Sequence, residues 1–416
     1  MRSPLSQAQA GVYYACETSV SDEYNYQNPV LFALPEDADL ARLQQAVQDA
    51  LCAHPYLGSH VVVNDEGNPE IESERVSGLG VSGLGVSLRE VTEEEWKAVQ
   101  ETFAKTMDVH GDKLYRAEIY TVHHTPYTVH HYLYIDLHHV LADGFSLTLL
   151  LRDIERLYNG KKPAGEMLDG AAIAAAEAEQ RADETLMGDA KQWYSQTFCD
   201  AADTDSLPIP EARVKSQESR AESRYEHFAL GFGKEDVQAI EKRFGVKESV
   251  IMQTAFAQLL ATYSAEEKAS YCTAFWGRSD RRTLGSITMM VHTLPVFMQT
   301  TADTTIADML HAMDEQLQLT QKYQYYAYQD AVRDLGLNNQ VMFVYQGSVL
   351  ADKRGLHLGE TLVPYTDMRK PTPGWKLCAE LFEVGGQYSL KISYCTADYS
   401  EAFLLELAET YTMIVR

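Results

Sequence analysis

Residues 114–160 constrain the fold more than any other stretch. Positions 114–122 and 129–137 alternate in the manner of two strands. "HHTPYT" (123–128) separates them, and Pro126 cannot sit in a central ladder, so a hairpin connection is expected there. "HHVLADG" (138–144) follows the second strand directly. Beyond it, Leu147, Leu150, Leu151, Ile154 and Leu157 share one helical face, and Gly160 stands where a C-cap glycine would end that helix. The stretch therefore reads as strand, turn, strand, short loop, helix.

The rest of the chain continues this mixture. Leu40, Leu43, Val47 and Leu51 lie on one face of a helix expected over 39–52, and further helices are expected at 235–244, 248–263 and 304–320. "SYCTAFWG", "QVMFVYQG" and "YSLKISYCT" read as strands. The Ala- and Glu-rich run at about 163–190 reads as a helical connector, and a charged loop follows at 210–224. With 416 residues, two domains are the natural expectation. We place them at 1–165 and 166–416. The tandem VSGLG within 76–88 matches neither a phosphate loop nor a dinucleotide fingerprint and reads as a duplicated surface loop.

Six of the thirteen histidines fall within residues 123–139, as three adjacent pairs. Adjacent strand residues point to opposite faces, so each pair can offer only one imidazole to a given site. No HExxH-like spacing is present, and no metal site is expected. His123 and His124 flank the turn and are expected at a solvated hairpin end. Of His130 and His131, one is expected to face solvent and the other to pack. The third pair differs because Asp143, Gly144 and a helix start follow it. An imidazole there can accept a proton near neutral pH, and the backbone N–H groups of the helix start favour negative charge. An aspartate there suits an N-cap or a buried ion pair. On these grounds alone, catalysis and a structural His-Asp pair both remain open.

Composition narrows the classes. A formal net charge of −25 argues against nucleic acid, while leaving open an acidic partner docked on a local basic patch. No run of about 18 apolar residues could span a membrane, and the N-terminus lacks the apolar core of a secretion signal. The six cysteines form no CxxC and read as reduced thiols of a cytoplasmic protein.

"HHVLADG" resembles the HHxxxDG signature of nonribosomal peptide synthetase condensation domains, which belong with chloramphenicol acetyltransferase to a wider acyltransferase superfamily. Other segments resemble further motifs of that family in the same order. "LSQAQAGVYYA" resembles LSxAQxxxW, with Tyr13 in place of Trp, and "YNYQNPV" resembles YNxP. "AFWGRSD" and "GSITMMVHTLPV" resemble the GRxx…GxFVNTLPLR segment, with His292 where the family has Asn. "YAYQDAVRDLGL", "NNQVMFVYQG" and "ISYCTADYSEAFLLELAETY" resemble the closing elements. The RHExLRTxF element is nearly gone, and "CAHPYLGSHV" keeps only its helix-to-strand position. Heterocyclisation relatives replace the histidines by aspartate. Epimerisation relatives follow the signature with Ser-Trp, whereas here Leu147 follows Ser146.

The resemblance implies an α/β (α+β) fold of two chloramphenicol-acetyltransferase-like lobes, a V-shaped pseudo-dimer with a tunnel between them. It implies an amide-forming acyltransferase that binds no cofactor itself and works on phosphopantetheine arms of upstream and downstream peptidyl carrier proteins. An adenylation domain of the same synthetase would be its neighbour, and the domain would act as a monomer, excised from or leading a larger synthetase. His139 is expected to take the amine proton or hydrogen-bond the amine, with His138 structural. Asp143 is expected to pair with Arg278, and Gly144 to allow close backbone approach. Ser146, His292, Thr293 and Gln346 are expected along the substrate or pantetheine tunnel. An epimerisation-type enzyme, a silent carrier-docking domain and a coenzyme A-dependent acyltransferase are the alternatives.

Overall fold

The computed structural model describes every residue except 1, 19–25, 74–84, 104, 112, 126–127, 202–206, 208–222, 348–354 and 370–374. Pro126, all but the last residue of the VSGLG tandem, nearly all of the charged loop and the start of YNYQNPV lie outside the described residues. In chain order the elements are Arg2–Pro4 (β1), Gln7–Thr18 (α1), Val30–Leu34 (β2), Leu40–Ala53 (α2), His60–Val63 (β3), Pro69–Glu72 (β4), Ser87–Thr92 (β5), Glu93–Thr102 (α3), Tyr115–Thr125 (β6), Thr128–Leu137 (β7), Gly144–Tyr158 (α4) and Gly170–Ala182 (α5). There follow Glu184–Thr197 (α6), Ser223–Gly233 (β8), Lys234–Phe244 (α7), Glu248–Ser264 (α8), Lys268–Phe275 (β9), His292–Gln299 (β10), Ile306–Lys322 (α9) and Tyr328–Leu335 (α10). Val341–Gly347 (β11), Gly355–Leu358 (β12), Thr361–Asp367 (β13), Leu377–Val384 (β14), Gln387–Cys395 (β15) and Glu401–Val415 (α11) complete the chain.

These elements form two compact units that are not continuous in sequence. One comprises Met1–Glu179, Arg278–Val291 and Lys353–Lys370, and the other comprises Gln180–Gly277, His292–Asp352 and Pro371–Arg416. The division expected at 165/166 therefore falls inside the first unit. That unit also recruits two later segments, which a cut at one point cannot represent. The reason lies in the pairing: β13 completes the first unit's sheet by lying antiparallel to β2, with Asp367 opposite Val30.

The six-stranded sheet of the first unit runs β12-β13-β2-β7-β6-β5. Alternation along β7 gives it two apolar faces. Leu133, Ile135 and Leu137 meet Leu43, Val47 and Leu51 of α2 and Leu147, Leu150, Leu151 and Ile154 of α4 in one core. Tyr134 faces the other way, where Phe103 stacks on it at 3.9 Å and Trp96 stacks on the half-buried Tyr132 at 4.6 Å. Burial of such side chains stabilises by about 1.5–3 kcal/mol each. Helix α4 ends as its sequence suggests: Gly160 takes φ +72°, and Lys161 N–H reaches back to the Arg156 carbonyl.

The second unit carries a sheet of order β10-β9-β11-β14-β15-β8. Helix α8 is apolar around most of its circumference, as a helix enclosed by a core must be. Its Met252, Phe256 and Leu260 are buried among β9, β11 and α11 side chains, with Phe256 stacked on Phe343 at 4.3 Å.

A buried ionic cluster that the sequence did not reveal braces the first unit. His54, the C-cap of α2, has its Nε2 3.0 Å from Asp153 Oδ2 of α4 and its Nδ1 3.6 Å from Glu166 Oε2. Glu166 in turn accepts from Ile287 N–H, and Asp153 from Ala164 N–H. Burial opposes the imidazolium, but the two carboxylates outweigh it and raise the His54 pKa to about 9. A pKa raised by folding adds stability that is whole below the unfolded value of 6.5 and disappears as pH climbs to about 9. On the order of 3 kcal/mol should be lost across that window. Urea midpoints of the wild type at pH 6, 7.5 and 9 should fall, while His54→Gln, weaker at pH 6, should lack that slope. Parallel curves for the two proteins would sink the assignment.

Candidate active site

The site is built where β7 runs out. Its last rungs pair with the chain ahead of β2: Asn28 N–H donates to the Leu137 carbonyl, Gln27 bridges to His138, and His139 N–H donates to the Tyr26 carbonyl at 2.7 Å. Gln27 is fixed from both ends. Its Nε2 donates to Asp136 Oδ2 at 2.5 Å, and its Oε1 accepts from Met107 N–H at 2.6 Å. Burial lifts the Asp136 carboxyl to about 6, with Arg116, Gln27 and Tyr134 restraining the rise.

The two histidines of the motif meet different fates. His138 is fully buried, and its Nδ1 accepts from Val140 N–H at 3.1 Å, so the ring proton belongs on Nε2, which lies 4.0 Å from Cys16 Sγ. Burial, with His139 adjacent, pushes its pKa down to about 3. Its place in the core is that expected of a structural residue. His139 is half-buried and stands in the turn before α4. Burial first, then the positive charge of Arg369, hold it down to about 4, against Asp143 and a hydrogen bond from the ring to the Ala142 backbone. An imidazole that donates from one nitrogen keeps the other as an acceptor.

Asp143 is the N-cap of α4 and its Oδ1 accepts from Ser146 N–H at 2.8 Å, while Gly144 is the first helical residue. Both carboxylate oxygens face Arg278, with Nη1 2.6 Å from Oδ2 and Nη2 3.1 Å from Oδ1, so the expected pair is a two-pronged, buried one. Arg278 also donates to the Ser286 and Thr288 carbonyls and lies over the Phe145 ring. Met290 N–H donates to Asp143 Oδ2. The pair thus pins the 278–291 segment to the start of α4.

Ser146 departs from its expected place on a tunnel wall. It is fully buried, with its hydroxyl 2.8 Å from Asp143 Oδ1 and 2.9 Å from the Thr288 carbonyl, because the first turn of α4 points it into the ion pair. His292, Thr293 and Gln346 belong to the second unit. His292 opens β10 opposite Phe275, and burial lowers it to about 4. Thr293 is the next residue, half-buried, and Gln346 is the extra residue at a break in the β11–β14 register.

The other histidine pairs are accounted for at the hairpin. His123 and His124 approach Glu90 and Glu93 at 3.4 Å each, so carboxylates as well as solvent meet their end of the hairpin. His130 is exposed, and half-buried His131 meets Thr121 Oγ1 at 3.0 Å. Among the described residues, no group of three or more His, Cys, Asp or Glu side chains is arranged to hold a metal ion, and no helix is long and apolar enough to cross a membrane. Gln27, Asn28 and Arg369 join the site from the structure. The first two lie inside the YNYQNPV motif, whereas Arg369 carried no local signal.

The family model for the condensation domain matches residues 2–416. The chain belongs to the condensation-domain family. It is a condensation domain of the kind found in nonribosomal peptide synthetases. It is 22% identical to bacitracin synthase 1 of Bacillus licheniformis over 97% of its length and 8% of that protein's, and 22% identical to surfactin synthase subunit 2 of Bacillus subtilis (strain 168) over 99% and 11%. It thus spans about a tenth of the curated relatives that it matches. The first condensation domain of the calcium-dependent antibiotic synthetase shares its fold, with a TM-score of 0.75 at 16% identity over 100% of this condensation domain and 95% of that chain. So does the X-domain from teicoplanin biosynthesis, with 0.77 at 18% over 99% and 94%. A four-domain nonribosomal peptide synthetase bound to AMP and glycine matches with 0.76 at 16%, over 100% of this chain and 33% of that one.

Proposed function

We propose that this condensation domain joins an acyl or peptidyl thioester on an upstream carrier protein to the amine of an aminoacyl thioester on a downstream carrier, forming an amide. The observation that carries this reading is the division of labour in HHVLADG. Asp143 is committed to Arg278 and His138 to the core, which leaves His139 as the only partly buried imidazole of the motif, neutral and with an acceptor nitrogen. The amine nitrogen attacks the thioester carbonyl carbon, the C–S bond breaks, and the nitrogen sheds a proton. His139 accepts that proton and passes it to the departing sulfur, so thioester and amine become amide and thiol. The thioester is already activated, and holding two tethered reactants in attack geometry supplies most of the rate. The phosphopantetheine arms belong to the carriers, and an adenylation domain of the same synthetase would load the acceptor.

The test supplies the purified domain with a panel of excised carriers bearing acyl- and aminoacyl-phosphopantetheine, and follows the acceptor by intact-protein mass. The acyl group should move onto the acceptor's amine. Transfer from coenzyme A thioesters without carriers would favour a free acyltransferase. Carrier binding without transfer in any pair would favour a docking domain, a reading that His292 in place of Asn keeps in view.

A further inference from the structure

Arg369 lies two residues beyond β13, far in sequence from the motif, yet the sheet register brings it to the same face. Asp367 pairs with Val30, and Val30 with Ile135. The pairing continues past the strand ends: Met368 N–H donates to the Pro29 carbonyl, Asn28 N–H to the Leu137 carbonyl, and His139 N–H to the Tyr26 carbonyl. Directly opposed residues share a face, and so do residues two apart along a strand. One row therefore runs Arg369, Asn28, Leu137, and the next row on that face runs through Tyr26 to His139. Arg369 and His139 are diagonal neighbours two strands apart, with about 4.8 Å per strand step.

The side chains fit this placement. Arg369 is exposed and held by Asp367, two residues back on the same face, with Nε 3.0 Å from Oδ1 and Nη2 2.6 Å from Oδ2. Asn28, the middle member of the first row, donates from Nδ2 to the Ala142 carbonyl at 3.3 Å, and the Ala142 backbone also receives the His139 ring. We propose that Arg369 is a positioning residue of the condensation site, a fixed cation on the sheet face it shares with His139, which acts through His139 and biases its imidazole toward the form that takes the amine proton.

The other charges around His139 do not supply this bias. Asp143, at the start of α4, favours the imidazolium, and its own charge is matched by Arg278 from the 278–291 segment. His138, on the β7 side, is buried with its pKa far below neutral. Cys16 of α1 lies beside His138, and burial raises its thiol to about 12. Among the described residues, Asp367 and Arg369 are the charges at and just beyond the end of β13 on this face, and Arg369 is the cation that lowers His139.

The inference rests on the proposed condensation role, but it can be read without turnover. In protein labelled at histidine carbons, the His139 signal is assigned by its loss in His139→Ala and followed against pH by nuclear magnetic resonance. Arg369→Gln should raise the His139 midpoint by about half to one pH unit, and Arg369→Lys should restore it. Raising the salt to 1 M should move the wild-type midpoint the same way by screening an exposed charge, with no variant needed. The acid limb of the amide-formation rate should follow the midpoint. An unchanged His139 midpoint in Arg369→Gln and in high salt overturns the proposal, even if amide formation is intact. A shifted midpoint in a protein that makes no amide upholds the coupling and overturns the condensation reading instead.

Discussion

His139→Ala should slow amide formation by about 10²- to 10⁴-fold at pH 7, with the urea midpoint nearly unchanged. The range is that of a positioned group handling a proton in the transition state. The small stability effect follows from where His139 sits: it is half-buried, in the turn between β7 and α4, and outside the apolar clusters. The neighbouring residue gives the contrast. His138→Ala removes a buried ring that holds Val140 N–H, so it should cost about 1–3 kcal/mol of stability as that donor loses its partner. Single-turnover transfer between loaded carriers, paired with urea melts, separates the two effects. If His139→Ala transfers at the wild-type rate, the imidazole is not the proton acceptor. A large loss in stability without a matching loss in rate would make His139 structural.

Arg278→Ala should destabilise the first unit by about 3–5 kcal/mol, a large share of the usual folding margin. The cost arises from what is left behind. Asp143 would remain buried without its guanidinium partner, holding the Ser146 and Met290 N–H groups and the Ser146 hydroxyl. Two carbonyls, Ser286 and Thr288, would lose a donor as well. Arg278→Lys should recover little, because one ammonium cannot reproduce the two-pronged contact with both carboxylate oxygens. Asp143→Asn combined with Arg278→Gln should be less damaging than the two single effects added together, since neither leaves the other as an isolated charge. Urea midpoints of the four proteins close that cycle. A strictly additive result, or an Arg278→Ala cost under about 1 kcal/mol, would show that the pair is not what ties the 278–291 segment to α4.

Local elements were legible where one period dominated. Helix α4 spans Gly144–Tyr158 with its apolar stripe inward and a left-handed Gly160 after it, as the leucine spacing and the glycine required. Helices α2, α7, α8 and α9 start and end within two residues of their expected limits. The site was legible in part for the same reason. A strand end, two histidines, an aspartate and a helix start are contiguous, so an N-cap at Asp143 could be read locally, whereas a structural His138 comes only from the family resemblance. The direction of Ser146 is not legible in sequence, because a helical first turn can aim a small hydroxyl at solvent or at its own cap. Here the buried guanidinium decides.

The domain division was the least legible feature. Residues 353–370 look like any strand pair of the second half, and nothing local says that β13 lies beside β2. The same holds for the His54, Asp153 and Glu166 cluster, whose members are 99 and 13 residues apart along the chain. Each reads alone as an ordinary polar residue, and only burial in common makes them a unit.

The alternation of β6 and β7, the leucine face of α4, and the family, through an ordered set of short motifs, could all be read along the chain. All of these depend on residues within a turn or two of one another. It took the folded chain to turn Ser146 into the Asp143–Arg278 pair, to set His54 beside two carboxylates, and to bring Arg369 to the His139 face. Those juxtapositions arise from strand register and from charges that must be matched once water is excluded, and neither is written in any single segment.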